Sequence, residues 1–275
     1  MDQTRAVFQG KFDLLENIKI SPLSRGYTFS DGVYEVVPFL NKTPIAFDDH
    51  IKRLKNSASA LNIFPDLSKV SSEISALIDA NEIVNGYVYY QISRGQDLTR
   101  NHLYESNLEP EYFGYIKNHD FHDQQFKVLL CDDIRWNRCD IKSISLLPNI
   151  LMMNDAASKG CKEIIMHKEG LVTEAGASNV FFIMDENICT PKLNNNILPG
   201  ITRSMTIEIF KKNGIDVLEE DFQVKHLLSA SKIWLTSSTK GMAEVFDILS
   251  QEHNIKEESL LYDKCVSVFK KGFFN

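Results

Sequence analysis

Three short runs of this sequence hold residue types able to do chemistry. Leu198-Pro-Gly-Ile-Thr-Arg203 places Pro, Gly and Thr where a strand passes into a helix. The first N–H groups of a helix have no intrahelical acceptor, and the helix dipole adds positive potential there, so such a run suits phosphate. Alone it is weak, because many strand-to-helix loops share it. Thr236-Ser-Ser-Thr239 ends a strand with four hydroxyls in a row. That is an ordinary polar loop, or a set of donors to the same anion. Arg135-Trp-Asn-Arg-Cys-Asp-Ile-Lys142 ends on a lysine flanked by Ile141 and followed, beyond Ser143, by Ile144, Leu146 and Leu147. Burial lowers an amine's pKa and makes it a usable nucleophile. A lysine at a strand edge explains the run equally well. The conjunction counts for more than any one run: an anion cradle together with a desolvated amine.

Composition narrows the rest. The chain has 275 residues, with 30 Lys+Arg against 37 Asp+Glu, a formal charge of −7. Apolar residues make up 43% and charged residues 24%, the ordinary balance of a globular protein with a large core. The excess of acid argues against nucleic acid, whose phosphates call for a basic face. No run of about 18 apolar residues offers a membrane span. Met1-Asp2-Gln3-Thr4-Arg5 lacks the basic-then-apolar layout of a secretory signal, so a cytoplasmic protein is expected. The five cysteines include no C-x-x-C pair, and the seven histidines show no ligand spacing; no metal is expected. His50, beside Arg53 on a helix, reads as a satisfied or solvated side chain.

The elements that must position these runs follow from periodicity. Val33–Phe39, Gly86–Ser93, Tyr112–Lys117 and Phe126–Cys131 read as strands. Ile51, Leu54, Ala58 and Leu61 mark one amphipathic helix, with Asp48 or Asp49 as its N-cap, and Leu67, Val70, Ile74 and Leu77 a second. A helix opened by Pro148 closes near Gly160, another runs from Gly200 to Gly214, and Ser259–Lys271 is a terminal helix. Glu163–His167, Asn179–Met184, Asn187–Thr190, Lys232–Thr236 and Ala243–Ile248 are further strands, and Asn194-Asn195-Asn196 is a turn. Polar residues 117–125 lack periodicity and mark a linker. The expected fold is mixed α/β (α+β) in two domains, 1–118 and 126–275, joined by 119–125.

Five segments in register resemble the class IV, or fold-type IV, pyridoxal-phosphate aminotransferases. They are Arg25-Gly-Tyr-Thr-Phe-Ser-Asp-Gly-Val-Tyr-Glu-Val-Val37, His50-Ile-Lys-Arg-Leu54, and Asp133 to Ser143. Val172-Thr-Glu174 with Ser178-Asn-Val-Phe181, and Ile197 to Arg203, complete the set. The resemblance implies a small N-terminal α/β domain and a larger cofactor-binding domain with a pseudo-barrel sheet. It implies pyridoxal 5′-phosphate as cofactor, with Lys142 forming the Schiff base and shuttling the proton, and Glu174 keeping the pyridine nitrogen protonated. Arg135 would support that carboxylate. Arg53, Ile201, Thr202, Ser237 and Ser238 would hold the phosphate, and Leu198 would pack against the ring. Ser238 departs from the family's threonine but keeps the hydroxyl.

For substrate, Arg94-Gly-Gln-Asp-Leu-Thr-Arg-Asn-His102 resembles family members acting on D-amino acids. There Arg100, His102 and Tyr34 would hold the α-carboxylate, the first two reaching in from a partner subunit, which implies a homodimer with a shared active site. The loop is one residue longer than the family pattern. The implied activity is transamination between D-amino acids and 2-oxo acids. 4-Amino-4-deoxychorismate lyase and branched-chain L-amino acid aminotransferase remain the alternatives within the fold. Because substrates and cofactor are anions, Arg53, Arg100, His102 and Lys142 are expected to gather positive charge inside an acidic protein.

Overall fold

The computed structural model describes residues 4–274, which fall into two compact units. The first runs to Asp120 and also takes Ile141–Leu146; the second comprises Phe121–Asp140 and everything from Leu147 onward.

The first unit contains β1 (Arg5–Phe8), β2 (Lys11–Leu14), α1 (Arg25–Phe29), β3 (Gly32–Leu40), β4 (Thr43–Pro44), α2 (Phe47–Ala60), α3 (Leu67–Asp79), β5 (Gly86–Ser93) and β6 (Glu111–Asn118). Its strands form one antiparallel sheet in the order β2-β1-β6-β5-β3-β4. Alternation along β3 sends Val33, Glu35, Val37 and Phe39 to a buried face that α2 and α3 cover with Leu54, Ala58, Ile74 and Leu77. The opposite face is aromatic. Tyr34 stacks on Tyr89 at 5.5 Å and Tyr89 on its ladder partner Tyr115 at 5.2 Å. Neither expected aspartate caps α2: the cap position is Ala46, in the left-handed region at φ 51°, and Asp48 and Asp49 occupy the first turn. There they still complement the dipole.

Residues 141–146 fall outside the second unit, where a single break in the chain would put them. Ile141 is buried in the core of the first unit. Tyr34 N donates to Lys142 O at 3.0 Å, Ile144 N to Gly32 O at 3.1 Å, and Ser143 pairs with Val33 as an isolated bridge. An apolar anchor plus an added strand edge outweighs chain continuity. Lys142 is therefore built onto the sheet that carries Tyr34.

The second unit contains β7 (Gln124–Asp132), α4 (Leu147–Ser158), β8 (Glu163–Lys168), β9 (Leu171–Ala175), β10 (Asn179–Met184), β11 (Asn187–Pro191), α5 (Ile201–Lys212), β12 (Val217–Glu220), α6 (Val224–Leu228), β13 (Lys232–Ser237), β14 (Gly241–Ile248) and α7 (Leu260–Phe273). The eight strands run β12-β11-β10-β13-β14-β7-β8-β9, with mixed directions. The sheet curls until its edges meet: Val172 N on β9 donates to Phe222 O just past β12 at 2.8 Å, and Leu171 bridges Gln223. The central strands are buried on both sides and read as continuous apolar runs. Val180, Phe182 and Leu235 line the interior, while Phe181 and Trp234 stack at 5.6 Å on the other side. Ser259 caps α7 through Tyr262 N.

Gly32 should be sensitive to substitution, since a Cβ there would lie 2.6 Å from Ile92 O and 3.2 Å from Ile144 Cδ1. Gly32→Ala is expected to cost about 1–3 kcal/mol through overpacking. It should also raise hydrogen exchange at residues 141–146, measured by mass spectrometry. Unchanged exchange there would show that the segment does not depend on this close approach.

Candidate active site

In the first unit, α2 aims one stripe at the sheet. His50, Arg53 and Ser57 recur at three- and four-residue steps, so all three share a face. Glu35 meets them from β3 and is 0% exposed. Arg53 Nε donates to Glu35 Oε1 at 2.7 Å and Arg53 Nη2 to Oε2 at 2.8 Å, while His50 Nδ1 lies 2.7 Å from Oε2. Burial alone would raise the Glu35 carboxyl, but the charge and hydrogen bonds of Arg53 and His50 overcome it and hold it far below the usual range. Burial keeps His50 below its ordinary pKa in spite of that carboxylate, with Arg53 and Lys142 adding to the effect. A neutral His50 leaves Glu35 and Arg53 as a balanced pair.

Lys142 is half-buried. Its backbone N donates to Ser57 Oγ at 3.1 Å, and its Nζ stands 4.1 Å from the Tyr34 ring centroid. Two of the expected site residues are thus neighbours. Arg100 and His102 lie on the exposed loop after β5, packed against Phe29 at 4.6 and 5.4 Å. Buried Arg25 anchors that loop. It donates to Asn101 O at 2.6 Å and His102 O at 3.4 Å, and it pairs with Asp31 and Asp97.

In the second unit, β9 brings in Glu174, which is 5% exposed. Arg135 Nη1 donates to Glu174 Oε1 at 2.5 Å. The same guanidinium donates to Asp133 through Nε and Nη2, at 2.8 and 2.7 Å, and to Asn196 O at 2.9 Å. Asp133 also accepts from Thr173 Oγ1. Leu198 N reaches both Glu174 oxygens at 3.2 Å, and Asn179 Nδ2 bridges Glu174 Oε2 and Leu198 O at 3.1 and 2.9 Å. The cluster holds two carboxylates and one guanidinium. Burial, opposed by Arg135 and reinforced by Asp133, pushes the Glu174 carboxyl up to about 7. Asp133, which the shared cation meets through both Nε and Nη2, is also burdened by burial yet stays below the usual range.

Ile201 and buried Thr202 form the first turn of α5, whose N-cap, Gly200, offers no side-chain acceptor. A Cβ on Gly200 would lie 1.9 Å from Asn179 Oδ1, so the close approach of that amide requires glycine. Ser237 ends β13, and its neighbour Thr236 faces Asn179 across the ladder. Thr236 Oγ1 is buried without a hydrogen-bond partner. Ser238 is half-buried in the turn that follows.

Several working residues escaped the sequence reading. Glu35 carried a signal, since it occupies a buried parity position within a β-branched strand. Asn179 and Arg25 lie inside the resembling segments, but nothing in their types reveals what they touch. Within the first unit Arg53 is paired with Glu35, and within the second the Glu174 cluster holds two carboxylates and one guanidinium.

The family described as amino-transferase class IV matches residues 32–248. A D-alanine aminotransferase of Listeria monocytogenes is 38% identical over 241 residues, 85% of this chain and 83% of that protein. The branched-chain amino acid aminotransferase of Escherichia coli superposes with a TM-score of 0.88 at 18% identity, covering 99% of this chain and 95% of its own. A hypothetical aminotransferase from Mycobacterium tuberculosis, in its PLP-bound form, gives 0.85 at 18%, covering 98% of each. Class IV aminotransferases depend on pyridoxal 5′-phosphate, and the residues here fit it. A carboxylate lacking a full share of positive charge suits a protonated ring nitrogen, and a helix start without a side-chain cap suits a phosphate.

The shifted Glu174 carboxyl gives a signed expectation. Below about pH 4.5, its ordinary value, the group is protonated folded and unfolded alike; as pH rises through 7 the unfolded chain ionises first and the fold loses stability. In cofactor-free protein, Glu174→Gln should therefore gain Tm over the unsubstituted chain between pH 4.5 and 8. A Tm difference independent of pH would refute the shift.

Proposed function

The chain belongs to the class IV aminotransferases, and from that premise we propose that it moves amino groups between D-amino acids, of the D-alanine and D-glutamate type, and 2-oxo acids. The observation that carries this reading is the run of D-alanine aminotransferases among its relatives, each aligned over most of both chains. The Arg100-Asn-His102 loop supports it, because a buried arginine holds its backbone where a merely solvating loop would need no anchor.

Bound pyridoxal 5′-phosphate supplies an aldehyde that condenses with amines and a ring that accepts electrons from the substrate carbon. Lys142 would be the residue that holds it, and its Nζ would take up and return the proton of the substrate Cα. Glu174, held by Arg135, Asn179 and Leu198 N, keeps the ring nitrogen protonated. Arg135 cannot leave it, since Asp133 fixes the guanidinium by Nε and Nη2. The Ile201 and Thr202 N–H groups with the Ser237 and Ser238 hydroxyls would receive the phosphate, and Leu198 would pack on the ring. Arg53 serves the phosphate too, with the Nε–Nη2 edge of its fork oriented by Glu35.

Tyr34, Arg100 and His102 hold the substrate α-carboxylate, the last two acting from a second copy of the chain. Exposed Tyr27, Leu98 and Leu103 around that loop suit burial in such a homodimer. Among the described residues no helix is long and apolar enough to cross a membrane, and free cysteines fit the cytoplasm.

Pyruvate formation from D-alanine and 2-oxoglutarate tests this directly, with L-leucine and aminodeoxychorismate in parallel. Turnover of aminodeoxychorismate alone would overturn the proposal. Arg100→Ala should raise KM for D-alanine by about tenfold or more, as a lost charge-assisted contact does. The absorbance of the bound cofactor should stay unchanged.

A further inference from the structure

The turn between β13 and β14, residues 237–240, is tied down from within. Lys240 N donates to Ser237 Oγ at 3.3 Å, so that oxygen is an acceptor inside the turn and its single proton is directed elsewhere. The Lys240 side chain crosses to a second turn. Its Nζ donates to Glu163 Oε2 at 2.5 Å and to Ser178 Oγ at 3.0 Å. Glu163, the first residue of β8, is 0% exposed. Its other oxygen accepts from Ile164 N at 3.0 Å and Gly176 N at 3.1 Å.

Gly176 and Ser178 belong to the turn that joins β9, just after Glu174, to β10, which starts at Asn179. That turn is packed hard onto the same carboxylate: a Cβ on Gly176 would lie 2.7 Å from Glu163 Oε1 and 2.4 Å from Met153 Sδ. One buried carboxylate therefore holds the turn beside Glu174 by a backbone N–H, and the serine-rich turn by a lysine. A buried carboxylate stripped of its cation is costly, so neither turn moves without disturbing the pair.

We propose that Lys240 is a positioning residue, a clamp that fixes the spacing between the phosphate-binding hydroxyls of residues 237–238 and the Glu174 carboxylate. The inference rests on the roles given above to Ser237, Ser238 and Glu174. It concerns a ligand that must reach both turns at once. The phosphate hangs from ring carbon C5, meta to the pyridine nitrogen, on a short CH2–O linker whose reach is limited, so a shift of the serine turn penalises the phosphorylated form and spares a vitamer without phosphate.

The test measures equilibrium binding of pyridoxal 5′-phosphate and of pyridoxal to cofactor-free protein, by dialysis, for the unsubstituted chain, Lys240→Met, Lys240→Arg and Ser238→Ala. Lys240→Met should lose affinity for pyridoxal 5′-phosphate by about tenfold, the scale of a lost charged hydrogen bond, while pyridoxal binding stays within a factor of about two. Lys240→Arg should recover most of the loss. If Lys240→Met folds poorly, the double variant Lys240→Met/Glu163→Gln removes both charges and should show the same selective loss. Equal losses for both ligands would reduce Lys240 to a general structural role and overturn the proposal. Selective loss in Ser238→Ala without one in Lys240→Met would overturn the clamp alone. No selective loss in either would remove the phosphate role of the turn itself.

Discussion

Two buried carboxylates share one guanidinium in the second unit, and much of the local architecture follows from that imbalance. Arg135 is bound most fully by Asp133, which takes Nε and Nη2, and only Nη1 is left to Glu174. A buried charge without a full partner is expensive. The chain offsets part of that cost with dipoles: Leu198 N, the Asn179 amide and, on the cation, the Asn196 carbonyl. The remainder appears as a carboxyl pushed towards neutrality. A ligand bringing a cationic nitrogen to Glu174 would relieve what these groups leave uncompensated. Glu174 is therefore left undercompensated in the cofactor-free fold.

The first unit spends its charges differently. Glu35 and Arg53 meet fork to carboxylate, and His50 stays neutral beside them. Such a pair contributes orientation more than net stability, because desolvation offsets most of its attraction. What it orients is the stripe of α2 whose Ser57 hydroxyl accepts from Lys142 N. The segment that carries Lys142 is set by an added strand edge and one apolar anchor, Ile141. Precision at Lys142 thus comes from the sheet and helix beneath it rather than from the loop that carries it.

Sequence periodicity revealed the elements with clean apolar patterns and clear end signals. The strand at Gly86–Ser93, the helix from Leu67 and the terminal helix after Ser259 stand as expected. Gly160 and Gly214 do adopt positive φ just past their helices. Missed elements are short or buried on both faces. β9 has five residues and no alternation, although it carries Glu174; β1, β2, β12, α1 and α6 are four or five residues each. The return of residues 141–146 to the first unit escaped because periodicity reads the chain linearly, while Ile141 answers to a core assembled from distant positions. The candidate site residues rest on family resemblance; the partners around them, Glu35, Asn179 and the Glu163–Lys240 pair, depend on three-dimensional neighbours.

The central claim is that Glu174, one cation short, governs the protonation of the cofactor's ring nitrogen. The most direct measurement is the ¹⁵N chemical shift of ring-labelled pyridoxal 5′-phosphate bound to the protein at pH 8, in the unsubstituted chain and in Glu174→Gln. A protonated nitrogen in the first and an unprotonated one in the second is the predicted result. The same protonation state in both would contradict the account.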